Sequence, residues 1–142
     1  MTSRRKSREM ALQILYQMDF VELPAQKAID LFCAHFASED LDCEFISRLV
    51  EGVLSHKEKI DQIVSDLSER WRINRMCTTD RNIIRLAAFE IIYCPDIPPK
   101  VSISEAVEIG KRFGTEESGA FINGILHALL TYPSEETVEA TR

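Results

Sequence analysis

The 142 residues contain no apolar run approaching the roughly 18–20 residues that a membrane-spanning helix requires, so no such helix is expected. The N-terminus is basic, but no uninterrupted apolar stretch and small-residue cleavage site follow it, which argues against a secretory signal peptide and for a cytoplasmic protein. The four cysteines, Cys33, Cys43, Cys77 and Cys94, form no Cys-x-x-Cys pair, and with no sign of secretion they are expected to be reduced thiols. His35, His56 and His127 are far apart, and Cys33 and His35, two residues apart, fall on different faces of a helix, so no metal site is expected. There is no Gly-x-Gly-x-x-Gly and no phosphate loop. Glu105 and Glu108 stand three apart with no histidine beside them, which suits a solvated face better than a catalytic pair. The residues therefore give an enzymatic activity no positive support. Repeats, low-complexity tracts and an interdomain linker are also lacking.

What is present is an ordinary globular composition, with 45% apolar and 28% charged residues in a chain long enough for one domain with a real core. Its charge is unevenly placed. The whole chain has 17 Lys and Arg against 23 Asp and Glu, yet the first eight residues hold Arg4, Arg5, Lys6 and Arg8 and no acid. Without those four cations, 13 basic residues face 23 acidic ones. The cations lead directly into an amphipathic helix. A helix N-terminus already carries about half a positive charge, so each cation in the first turn costs about 0.3–1 kcal/mol that an anionic partner would remove. Met18, Leu15 and Ala11 form one stripe, and its extension backwards reaches Arg8 and Arg4. Burying unpaired arginine is costly, so the first turns are expected to overhang the body or to be unwound. Such an arm suits a phosphate backbone, whose neutralisation releases counterions.

Apolar periodicity predicts seven helices and no strand, an all-α fold, over residues 3–20, 24–37, 41–55, 57–67, 79–93, from 102 or 104 to 112 or 113, and 118–130. Expected inward residues are Ala28, Leu31, Phe32 and His35 in the second helix and Phe45, Ile46, Leu49, Val50 and Val53 in the third. Ile60, Ile63, Val64 and Leu67 follow in the fourth. Ser38, Glu39 and Asp40 offer a cap to the third helix, and Thr78 or Thr79 to the fifth. The fifth helix is apolar nearly all round and is expected at the centre of the core, where Arg85 and Glu90 need partners if buried. Trp71 is expected to anchor helical layers. Lys100 to Ile103 reads as an extended lead-in to a capping box formed by Ser102 and Glu105, and Gly114 fits a left-handed C-cap. Residues 134–142 form an acidic tail without core residues.

Two features favour binding. Arg70, Arg72, Arg75, Arg81 and Arg85 cluster around the start of the fifth helix, some of them as ion-pair partners. Ser118-Gly119-Ala120 opens the seventh with small residues that would leave backbone N–H groups open to a phosphate, and Phe121 beside them fits either the core or a stack on an unpaired base.

Two segments carry a resemblance. Trp71-Arg72-Ile73-Asn74-Arg75-Met76 with Asp80-Arg81-Asn82-Ile83-Ile84-Arg85-Leu86-Ala87-Ala88-Phe89-Glu90 resembles the central helix of the NusB family of transcription antitermination factors. Residues 99–114, continuing into Phe121-Ile122-Asn123-Gly124-Ile125-Leu126, resemble that family's C-terminal signature, and Arg4-Arg5-Lys6-Ser7-Arg8-Glu9 resembles its arginine-rich motif. The resemblance covers nearly the whole chain. It implies two packed helical bundles in one domain, with no catalysis and no cofactor. It implies binding of boxA RNA together with NusE, a small-subunit ribosomal protein, and assembly with other Nus factors on RNA polymerase, notably at ribosomal RNA operons. Arg4, Arg5, Lys6 and Arg8, with Glu117, Ser118 and Phe121, match RNA-contacting positions, and Tyr16 and Asp80 match positions associated with NusE. Ala120 stands where some members have Lys, and Glu117 where some have Asp. Asn123 and Gly124 are expected to be a buried hydrogen-bonding residue and a close-packing site within the helix. The alternative is a protein-binding or homodimeric accessory module, related to the N-terminal domain of ribosomal RNA cytosine methyltransferases.

Overall fold

Helical periodicity sets the architecture of the computed structural model, which describes residues 3–35, 41–67 and 76–132. Its elements are α1 (Ser3–Met18), α2 (Ala25–His35), α3 (Cys43–Ser55), α4 (Lys57–Leu67), α5 (Thr78–Tyr93), α6 (Pro99–Phe113) and α7 (Ser118–Leu130), with no strand among the described residues. The chain divides into two units, Met1–Ser55 and His56–Arg142. Trp71, Arg70, Arg72, Arg75 and the acidic tail lie outside the described residues.

In the first unit, α1 packs on α2 and α3, and α2 on α3. Phe45, Ile46, Leu49, Val50 and Val53 are all buried, because residues three and four apart share one helix face. The inward face of α2 differs from expectation. Ala28 and Ile29 are buried, whereas Leu31 is 56% exposed and His35 also faces solvent. The cap of α3 is Asp42, whose carboxylate accepts from the Phe45 amide at 3.0 Å. The packing of α2 on α3 brings Cys33 and Cys43 to a Cα separation of 6.2 Å, and they form a disulfide. This corrects the expectation of reduced thiols for that pair; Cys77 and Cys94 are not joined in a disulfide.

In the second unit, α6 packs on α5 and α7, α5 on α7, and α4 on both α5 and α7. Residues from Asn82 to Glu90 of α5 are all buried, the expected central helix. Arg85 is satisfied by a fork on Asp61, with Nε to Oδ1 at 2.7 Å and Nη2 to Oδ2 at 2.8 Å. The cap of α5 is Cys77, with no side-chain bond, and Thr78 is already helical.

The start of α6 corrects the capping-box reading. Pro99 occupies the first turn, where its fixed φ suits a helix and its missing N–H is not needed. Pro98, held extended by the proline after it, is the cap. Ser102 is therefore inside the helix, and its hydroxyl donates to Glu90 at 2.8 Å. Gly114 is also not left-handed, since its φ is −99°. Its glycine is required by space, because an added Cβ would lie 2.7 Å from Ser118 Cβ and 2.8 Å from the Gly110 carbonyl oxygen. At Gly110 an added Cβ would meet Ile122 Cδ1 at 2.6 Å. These glycines let α6 approach the start of α7. Asn123 and Gly124 are exposed, and nothing lies within 4 Å of a Cβ built on Gly124. The buried stripe of α7 is Ile122, Ile125, Leu126 and Leu129, which turns positions 123 and 124 outward.

Candidate nucleic-acid and protein-binding surfaces

The basic motif forms the first turns of α1 and is continuous with its amphipathic part. It neither overhangs nor unwinds. Ser7 is fully buried, Arg8 is 5% exposed, Arg5 and Lys6 are half-buried, and Arg4 is exposed. Aromatic contact contributes to holding Arg8 inside. The Phe45 ring lies under two guanidinium groups, with the Arg4 Cζ 4.3 Å and the Arg8 Cζ 5.2 Å from its centroid. Ser7 Oγ accepts from the Asp42 amide at 2.9 Å, which fixes the second turn of α1 to the start of α3. Charge counting located this motif but could not detect its seat, because Phe45 is remote in sequence and carries no charge.

At the start of α7 the Ser118 amide is not open in the way expected of it. Ser118 is 1% exposed, and its Oγ accepts from the Thr115 amide at 2.8 Å. The Ser118 amide is itself engaged with the Thr115 carbonyl at 3.1 Å. Small residues here serve packing between α6 and α7. Glu117 is exposed and Phe121 half-buried, so these two present surface in the second unit.

Tyr16 is 44% exposed at the outer side of α1 and packs on Phe20, 68% exposed, with ring centroids 5.2 Å apart. With Val21 and Leu31 also exposed, the end of α1 and the face of α2 present an apolar surface. Beside it a cleft of about 320 Å³ is lined by Gln17, Leu23, Ala28, Leu31, Phe32 and His35. This surface is hidden in the sequence because Ile29 and Leu31 are both apolar and α2 turns Leu31 outward. Asp80 is only 9% exposed, in the first turn of α5, and its Oδ1 has no hydrogen-bond partner among the described residues. Burial distinguishes it from Tyr16 as a contact position. Among the described residues no group of three His, Cys, Asp or Glu side chains could hold a metal, and no helix is long and apolar enough to cross a membrane.

Fold and surface together define an all-α protein that presents a basic helix start and an exposed aromatic patch for contact. A family model described as NusB family matches residues 5–131. The transcription antitermination protein NusB of Desulfatibacillum aliphaticivorans is 45% identical over 143 residues, covering 100% of both chains. The protein of that name from Myxococcus xanthus (strain DK1622) is 48% identical over 132 residues, 89% of this chain and 93% of its own. Among solved structures, T. maritima NusB is 33% identical with a TM-score of 0.74, over 98% of this chain and 99% of that one. A chain in a crystal structure of the antitermination factors NusB and NusE in complex with dsRNA is 26% identical, with a TM-score of 0.75 over 89% of this chain and 95% of that one. The chain belongs to the NusB family.

Proposed function

We propose that the protein is a transcription antitermination factor that binds boxA RNA together with NusE and so joins the other Nus factors on RNA polymerase. It acts by binding, without catalysis or cofactor, in the cytoplasm. The observation that carries this reading is the cationic start of α1, where Arg4 is exposed and Arg5 and Lys6 are half-exposed in a chain that is otherwise acidic. The relatives named for transcription antitermination and the solved assembly of NusB, NusE and dsRNA support it. Glu117, Ser118 and Phe121 contribute further RNA contacts. Tyr16, within its exposed aromatic patch, anchors NusE, an amphipathic side chain of the type enriched in interface cores. Asp80 contributes to that contact through the first turn of α5.

The test is a titration of single-stranded RNA carrying boxA, with a duplex RNA as second probe, against wild type and an Arg4, Arg5 and Lys6→Ala triple variant. It is run with and without NusE at several salt concentrations. Each lost phosphate contact on a single strand lowers the slope of log K against log salt by about 0.7, so the variant should lose about 2. Equal slopes would remove the basic motif from the interface. Tyr16→Ala should reduce capture of NusE while leaving RNA binding by the isolated protein in place. If wild type binds neither RNA nor NusE, the accessory-module reading replaces this one.

A further inference from the structure

The basic motif holds an arrangement that charge alone does not require. Arg4 and Arg8 stand one helical turn apart on α1, and both guanidinium groups lie within 6 Å of one ring, that of Phe45. Phe45 is itself 3% exposed. Its position is fixed from two sides. The Asp42 carboxylate caps its amide at 3.0 Å, and the Asp42 amide donates to Ser7 Oγ at 2.9 Å. The residues that stitch α3 to α1 thus also hold the ring beneath the arginines. Of the two cations, Arg8 is buried and Arg4 exposed.

Resting on the RNA-binding reading above, we infer that Phe45 is a positioning residue for nucleic-acid contact, with Arg8 packed beside it, and that together they orient Arg4 toward an RNA phosphate. The chemistry of guanidinium allows both contacts at once. A guanidinium whose flat face rests on a ring keeps the N–H groups along its edge free to match the two oxygens of a phosphate. An exposed arginine free in solution loses rotamer freedom when it binds; one already lying on a ring loses less. Lysine lacks the planar fork, so a lysine at position 4 would keep the charge and lose the arrangement. Arg8, near the same ring but buried, keeps the positive potential high around Arg4 and fills the space at its inner side.

The experiment is a double-mutant cycle on the full chain, titrated with boxA RNA at several salt concentrations, using wild type, Phe45→Leu, Arg4→Lys and the double variant. Each single variant should bind about three- to tenfold more weakly at every salt concentration, since one preorganised side chain is at stake. The slope of log K against log salt should stay at the wild-type value, because no charge is removed. The double variant should bind no more weakly than the poorer single. Wild-type affinity in Phe45→Leu, additive losses, or a slope reduced as in Arg4→Ala would each overturn the inference while leaving the RNA-binding reading intact. Failure of wild type to bind RNA would overturn that reading instead. Should Phe45→Leu lose helix content, stepwise fluorination of the Phe45 ring preserves its shape and weakens its negative face. Affinity should then fall with each added fluorine, and a flat series would refute the role of the ring.

Discussion

Ser102 donates its hydroxyl to a Glu90 carboxylate oxygen at 2.8 Å, joining α6 to α5 through two side chains that are each 1% exposed. A carboxylate so deeply placed depends on such donors, because an unsatisfied buried acceptor costs about 1–3 kcal/mol and more when charged. Ser102→Ala should therefore lower stability by at least about 1–3 kcal/mol. Denaturant unfolding of the variant, with an unchanged m-value, checks it. A loss below a few tenths would show that water replaces the hydroxyl.

The fork between Arg85 and Asp61 should respond asymmetrically. The Arg85 side chain is 7% exposed and that of Asp61 22%. Asp61→Leu strands a buried cation and should cost about 3–5 kcal/mol. Arg85→Met leaves a carboxylate that still reaches water and should cost less. Combining Arg85→Met with Asp61→Leu should recover much of the Asp61→Leu loss, since replacing both members of a buried pair with apolar residues is often near neutral. Thermal melts of the three variants measure the coupling.

Two glycines should give opposite signs. At Gly114 a Cβ would fall 2.8 Å from the Gly110 carbonyl oxygen, backbone that cannot easily move. Gly114→Ala should cost about 1–3 kcal/mol, the usual range for overpacking. Gly124 lies exposed within α7 with open space around it. Gly124→Ala should stabilise by about 0.5–1 kcal/mol through helix propensity. Paired denaturant titrations decide both.

Arg4 and Arg8 should separate in stability although both are basic-motif residues. Arg8→Ala empties a buried site against Phe45 and should cost about 1–2 kcal/mol through lost packing. Arg4→Ala, at an exposed position, should stay within about 0.5 kcal/mol of wild type. Equal losses would mean that the ring holds both arginines alike.

Much of the architecture was legible in the residues themselves. The bounds of α4 and α7 follow from apolar spacing, and so does the buried face of α3. The first turn of α6 is hidden in the sequence because Pro98-Pro99 looks like an interruption, while a proline at the first helical position is a start. The phase of α2 was ambiguous because Ile29 and Leu31 are both apolar and only one can face inward, a choice that packing on α3 makes. At the candidate surfaces, the charge of the α1 motif is plain from composition, but the burial of Arg8, Ser118 and Asp80 is not.

By itself the sequence determined the helical periodicity, the segregation of cations at one end and the family to which the chain belongs, because each is a property of residue type and order. Tertiary structure alone decided which of those residues face solvent. Arg8 packs beside a ring 37 positions away, Ser118 is covered because Gly110 on α6 and Gly114 just past its end let the helices close together, and Tyr16 remains outside. Burial depends on what packs against a residue, and that partner is set by the fold. The cationic start of α1 thus divides into residues that form its seat and residues that are presented from it.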